Sequence, residues 1–171
     1  TSRLTAATVT ELIGEASREI LLVSYATRTE PVVAAALAAA ASRGVEITLV
    51  AEHPSDNPAY TARAAAFPGL PATRLRWPAR KRPPGAALHA KIIVVDDRIA
   101  LITSANLTSR AMEANLECGI LIRGGTQPRA IRDHITGLRA QGYLVPRLSV
   151  PGRVEQRHIY RHDARVGRAA P

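Results

Sequence analysis

With 171 residues, 46% of them hydrophobic, the chain has the apolar content of one globular domain, which excludes a disordered polymer and a disulfide-stapled miniprotein. A single cysteine, Cys118, excludes an internal disulfide and any cysteine-based zinc site, and no apolar run approaches the ~18 residues of a membrane span. The net charge of +9 fits either a solvated basic surface or an anionic partner, nucleic acid or an acidic membrane face.

The first predicted element is an amphipathic helix. Thr8-Val9-Thr10-Glu11 has the form of a capping box, and Val9, Leu12, Ile13 and Ala16 fall on one stripe behind it. The β-branched run within Glu19–Ala26 predicts a buried strand. Thr29 caps a second helix running to Ser42, with Pro31 in its first turn and Gly44 beyond its end. Val45–Ala51 is a strand again, so the opening is a β-α-β unit with parallel strands. A weaker helix is predicted over Asn57–Ala66 and a short strand over Thr73–Trp77, followed by a Pro-, Gly- and Arg-rich loop over Pro78–Ala87. Leu88–Val95 and Ile99–Thr103 form a hairpin. Leu107–Ala114 reads as a loop with a helical turn, Leu116–Ile122 as a strand holding Cys118 as a buried small residue, and Pro128–Gln141 as the last helix. Residues 1–150 then make one α/β layered sandwich, a mixed central sheet with helices on both faces. Residues 151–171 form an Arg-rich tail, mobile or held by a partner.

Chemistry concentrates in Leu88–Glu117. Alternation along a strand places His89 and Lys91 on one face and Asp96 on the other. An ammonium beside an imidazole opposes a second positive charge there, a conflict that a bound anion relieves. Ser104 and Asn106, also two apart, both carry donors suited to an oxyanion. Taken singly, a strand histidine is usually a packed residue, a lysine a solvated one, and Ser-x-Asn a turn. Their shared spacing makes a socket for a phosphoryl group. The basic run leading into it, Arg74, Arg76, Arg80, Lys81 and Arg82, lies in a stretch from Asn57 to Val95 with no acidic residue. It is expected to track a nucleic-acid backbone, with steep salt dependence. Trp77 and Tyr60 within that stretch offer stacking surfaces, packing at the loop base being the simpler role. His158 and His162 stand four apart, which suits a metal less well than a solvated tail.

His89-x-Lys91, Asp96, then Ser104-x-Asn106 and Asn115-x-Glu117 resemble the His-Lys-Asp motif of the phospholipase D superfamily, in a single-motif form. Among subfamilies the chain is similar to the phospholipase-D-like component of DISARM anti-phage systems. The resemblance implies a metal-independent, cofactor-free phosphodiesterase in which His89 forms a phosphohistidine. Lys91 and Asn106 would bind the non-bridging oxygens, with Ser104 assisting, and Glu117 would fix the tautomer of an imidazole. Asp96 would be structural, tying the hairpin together. The family usually has Gly where this chain has Thr103, so a methyl and a hydroxyl crowd or supplement the site. One motif supplies one imidazole where the chemistry needs two, which implies a two-fold homodimer with a shared active site.

The expected function is therefore a nuclease, cytoplasmic and without a membrane span, with other defence-system proteins as partners. A phospholipase or phosphatidyl transferase shares the chemistry, and a catalytically dormant nucleic-acid-binding subunit is the non-enzymatic alternative.

Overall fold

Short β-branched runs separated by helices assemble into one mixed sheet in the structure, a computed structural model that describes residues 2–25, 30–58, 60, 67–108 and 115–147. In chain order the elements are α1 (Ser2–Glu15), β1 (Glu19–Ser24), α2 (Pro31–Ser42), β2 (Glu46–Ala51), β3 (Thr73–Arg76), a 3-10 turn (Ala79–Lys81), β4 (Ile92–Val95), β5 (Ile99–Thr103), β6 (Gly119–Arg123), α3 (Gln127–Ala140) and β7 (Val145–Pro146). The strand order is β6-β5-β4-β1-β2-β3-β7. β1, β2 and β3 run parallel, while β4, β5, β6 and β7 each pair antiparallel to a neighbour.

Alternation along the strands divides the core. Ile20, Leu22, Ile47, Leu49, Ile93 and Val95 face α1 and α2, meeting Val9, Leu12, Ile13 and Leu37. Leu21, Val23, Val50, Leu75 and Val94 face the other way, towards Ile131, Ile135 and Leu138 of α3. β1 is thus covered on both sides, which is why it reads as an unbroken apolar run and not as an alternating one. No helix among the described residues is long and apolar enough to cross a membrane.

Several boundaries differ from the sequence expectation. α1 begins at Ser2, so the presumed capping box lies inside the helix, where the Thr10 hydroxyl bonds the carbonyls of Ala6 and Ala7. The N-cap of α2 is Glu30, whose carboxylate accepts from the Val33 amide at 2.9 Å; Thr29 lies outside the described residues. β4 starts at Ile92 because Val23↔Ile92 is its last pairing with β1. His89 therefore stands beyond the ladder, while Lys91 adjoins it, its carbonyl accepting from the Thr103 amide at 3.1 Å. β7 was not expected, since two residues show no period. Most of the helix expected over Asn57–Ala66, the segment 109–114 and the tail from 151 lie outside the described residues.

The β4–β5 turn places Asp96 and Asp97 at φ 51° and 60°, the left-handed pair that matches hairpin twist. Asp96 does more than tie the hairpin to itself. Its carboxylate bridges to the α1–β1 turn, accepting from the Ser17 amide (2.9 Å) and hydroxyl (2.7 Å) and from the Arg18 and Glu19 amides (both 2.8 Å). Burial raises its pKa, but these donors outweigh burial and lower it to about 2. A carboxylate depressed in the folded state contributes stability above its unfolded pKa of about 3.9 and loses it as pH falls towards about 2. Asp96→Asn is expected to cost roughly 2–3 kcal/mol in urea unfolding at neutral pH. The gap to wild type should close as pH drops from about 4 to about 2.

Candidate active site

Because β4 runs antiparallel to β1, its beginning lies beside the ends of the parallel strands. The same alternation brings the end of β5 to the start of β4, and the start of β6 to the end of β5. Tyr25 after β1, Glu52 after β2, His89 and Lys91 before β4, Ser104 and Asn106 after β5, and Asn115 and Glu117 before β6 all collect at one end of the sheet.

His89 is exposed and Lys91 is buried. The Lys91 Nζ donates to the His89 carbonyl at 2.8 Å and lies 3.3 Å from its Nδ1. Burial pulls the Lys91 ammonium below the ordinary lysine range, and the nearby Glu117 carboxylate partly opposes that. Tyr25 packs its ring 5.2 Å from the imidazole centroid, backed by the buried Tyr60 at 5.5 Å. Tyr60 is thus spent on packing and not displayed to a base.

Glu117 is held by two donors, the Ser104 hydroxyl at 2.5 Å and the Asn115 amide at 3.1 Å. Ser104 is also tied to residue 118, its amide donating to the Cys118 carbonyl at 2.9 Å and its hydroxyl accepting from the Cys118 amide at 3.1 Å. The nearer of the two acceptors within reach of the exposed Ser104 hydroxyl is Glu117, the Cys118 carbonyl lying at 3.3 Å, so Ser104 buttresses a carboxylate. Asn106 sits half-buried two residues further on. Cys118 is exposed and not buried as expected, because it precedes an edge strand.

Thr103 proves to be accommodated across the ladder. Its cross-strand partner is Gly119, where a Cβ would lie 2.9 Å from the Ile102 carbonyl and 3.0 Å from the Thr103 Cβ. The Thr103 hydroxyl donates to the Cys118 carbonyl at 3.2 Å and accepts from the Ala105 amide at 3.1 Å, shaping the turn that carries Ser104. Gly119→Ala is expected to cost about 1–3 kcal/mol, since the nearest obstacle is backbone. A double-mutant cycle with Thr103→Gly in thermal unfolding should show part of that cost recovered; strict additivity would contradict the pairing.

The basic run is mostly internal. Arg74 donates to the Phe67 carbonyl at 2.7 Å, Arg76 forks onto Asp56 at 2.6 and 2.7 Å, and Lys81 reaches the Gly142 carbonyl at 2.5 Å. Arg82 forms a buried pair with Glu52, both bonds at 2.9 Å, while its guanidinium lies 5.0 Å from the Trp77 ring centroid. Only Arg80 of the expected run is exposed. The other four positions, expected to form a cation track, are half-buried and serve internal carboxylates and carbonyls of Asp56, Glu52, Phe67 and Gly142. Among the described residues no three His, Cys, Asp or Glu side chains cluster to hold a metal.

Tyr25 and Glu52 were missed from the sequence. Both directly follow a parallel strand, the position where open α/β sheets display functional groups, and that placement was the available signal.

Residues 9–137 match the family model described as cardiolipin synthase, PLD-like domain. Cardiolipin synthase A of Pseudomonas entomophila is 30% identical over 125 residues, 73% of this chain and 25% of the relative. Cardiolipin synthase B of Salmonella typhi is 25% identical over 130 residues, 75% of this chain and 30% of the relative. The matched segment thus spans between a quarter and a third of these relatives' length. Among solved structures, the phospholipase D family member Nuc from Salmonella typhimurium superposes with a TM-score of 0.67 at 23% identity, covering 84% of this chain and 90% of that one. NucT from Helicobacter pylori gives 0.66 at 19% identity, covering 81% and 89%. Sheet, helices and family match together define a phospholipase-D-like α/β domain. The chain belongs to the phospholipase D superfamily, within its cardiolipin-synthase-type PLD-like domain family.

Proposed function

We propose that this chain is a metal-independent phosphodiesterase that cleaves nucleic acid through a phosphohistidine intermediate, working as a two-fold homodimer with a shared site. The observation that carries the chemistry is an exposed imidazole held against a buried ammonium at 3.3 Å, beside a braced carboxylate. A phosphate draws the Lys91 ammonium onto a non-bridging oxygen, with Asn106 on another. Released from Lys91, Nδ1 of His89 takes the ring proton and leaves Nε2 free to attack. The P–N bond forms as the P–O bond to the leaving group breaks, and the leaving oxygen takes a proton from the second copy's His89. That imidazole then removes a proton from water. The water oxygen attacks phosphorus, the P–N bond breaks, and a phosphomonoester departs with His89 restored. In this reading Glu117 accepts from Nδ1 of the second copy's imidazole, while Ser104 and Asn115 hold the carboxylate in place.

The net charge of +9 and the exposed Arg80 support nucleic acid as the substrate. The subfamily resemblance supports a setting in anti-phage defence with other proteins of such a system. A second reading is phosphatidyl transfer. It draws on the names of the two relatives, cardiolipin synthases A and B, and on the exposed apolar side chains of Leu116 and Ile120 near the site. The deciding experiment incubates the protein and His89→Ala, in chelator, with single- and double-stranded DNA, RNA and phosphatidylglycerol vesicles. Nucleic-acid cleavage that persists in chelator and vanishes in the variant is the expected result. Turnover of lipid alone would move the assignment to phosphatidyl transfer, and silence on every substrate would favour a dormant binding subunit.

A further inference from the structure

His89 stands outside the β-ladder, so something other than sheet hydrogen bonding must set where its imidazole sits. We infer that Glu52 is a positioning residue for His89, acting through the strap 77–88 that delivers it; the inference rests on His89 being the nucleophile. Glu52 follows β2 and its side chain is fully buried. One carboxylate oxygen accepts from Arg82 Nη1 at 2.9 Å and from the Leu88 amide at 3.1 Å, the residue just before His89. The other accepts from Arg82 Nη2 at 2.9 Å and from the His53 amide at 3.1 Å.

Arg82 gathers the rest of the strap. Its Nη1 donates to the Ala86 carbonyl at 3.2 Å, its Nη2 donates to the Trp77 carbonyl, and its plane lies over the Trp77 ring. One carboxylate and one guanidinium thereby fix both ends of an eleven-residue detour from Trp77 to Ala87, rich in Pro, whose own backbone forms a 3-10 turn and one further turn closed from the Ala86 amide to the Pro83 carbonyl at 3.1 Å. The last fixed point, the Leu88 amide, is one residue from the imidazole.

Stability alone is a poor account of this pair. A buried ion pair gains little over apolar side chains of similar volume once desolvation is counted. Arg82 Nε, moreover, is buried with no partner among the described residues. What the pair supplies is direction: two charged forks permit one arrangement of the strap where an apolar plug permits several.

Two variants test the inference on bis(4-nitrophenyl) phosphate, with each protein assayed below its own melting midpoint. Glu52→Gln should lower kcat by about 10–100-fold, the cost of a nucleophile misplaced by about 1 Å, with KM within about twofold. Glu52→Met/Arg82→Met removes both charges, so it should fold with a midpoint near wild type, yet show the same loss of kcat. In both, the Leu88 amide should exchange faster with solvent and the His89 ring proton resonances should shift, signals that need no turnover. Wild-type kcat in either folded variant overturns the inference, as does failure of both to fold, which would make the pair a stabilising device. If wild type cleaves no phosphodiester but the His89 signals still move, the nucleophile reading fails while the positioning role stands.

Discussion

Replacing His89 with alanine is expected to lower phosphodiester turnover by at least about 10⁴-fold, the scale seen when a covalent nucleophile is removed. Stability should stay within about 0.5 kcal/mol, because the imidazole is exposed and its contacts are the Tyr25 ring and the Lys91 ammonium. That separation of activity from stability is diagnostic. Lys91→Ala should lose both, since the ammonium is buried and its Nζ braces the His89 carbonyl. Turnover assays paired with thermal unfolding on the same preparations check the contrast. A His89→Ala protein retaining a tenth of wild-type activity would remove the phosphohistidine from the mechanism.

The second large effect concerns assembly. β6 lies at the edge of the sheet next to the site, and its Ile120 is 65% exposed opposite Ile102, itself 40% exposed. Leu116, just before it, is 93% exposed. An apolar edge strand left open is a template for association, and proteins ordinarily cover or charge such an edge. A second copy of the chain is the cover that the proposed two-imidazole mechanism calls for. Ile120→Lys is expected to convert a dimer to a monomer in sedimentation and to lower kcat by about 10²–10⁴-fold, the contribution of a general acid. The monomer should remain folded, because the replaced side chain faces solvent. A wild-type protein that sediments as a fully active monomer would leave the shared site without support.

Long-period features carried the sequence reading furthest. Val9, Leu12 and Ile13 of the stripe are the buried face of α1, with Ala16 buried just past its end, and the apolar runs at Ile20–Val23 and Ile47–Val50 are neighbouring parallel strands. The short spacing His89-x-Lys91 did bring imidazole and ammonium together, although through a bonded contact outside the ladder and not through strand alternation. What was not legible depends on distant partners. Arg82 looked like a surface cation because its counter-charge, Glu52, lies thirty positions away. Asp96 looked like a hairpin residue because its donors at Ser17, Arg18 and Glu19 lie 77 to 79 positions earlier in the chain. Thr103 looked like a defect because its compensation, Gly119, sits on the next strand. A linear pattern reports which face a residue occupies; it says little about who meets it there.

The chain contains a single tryptophan, and that residue is the one lying against the Arg82 guanidinium, its indole N–H on the Lys81 carbonyl at 3.2 Å. The molecule therefore carries its own optical reporter. Indole emission should register any loosening of residues 77–88 without an added label, and a stopped-flow trace could time that motion against the appearance of product.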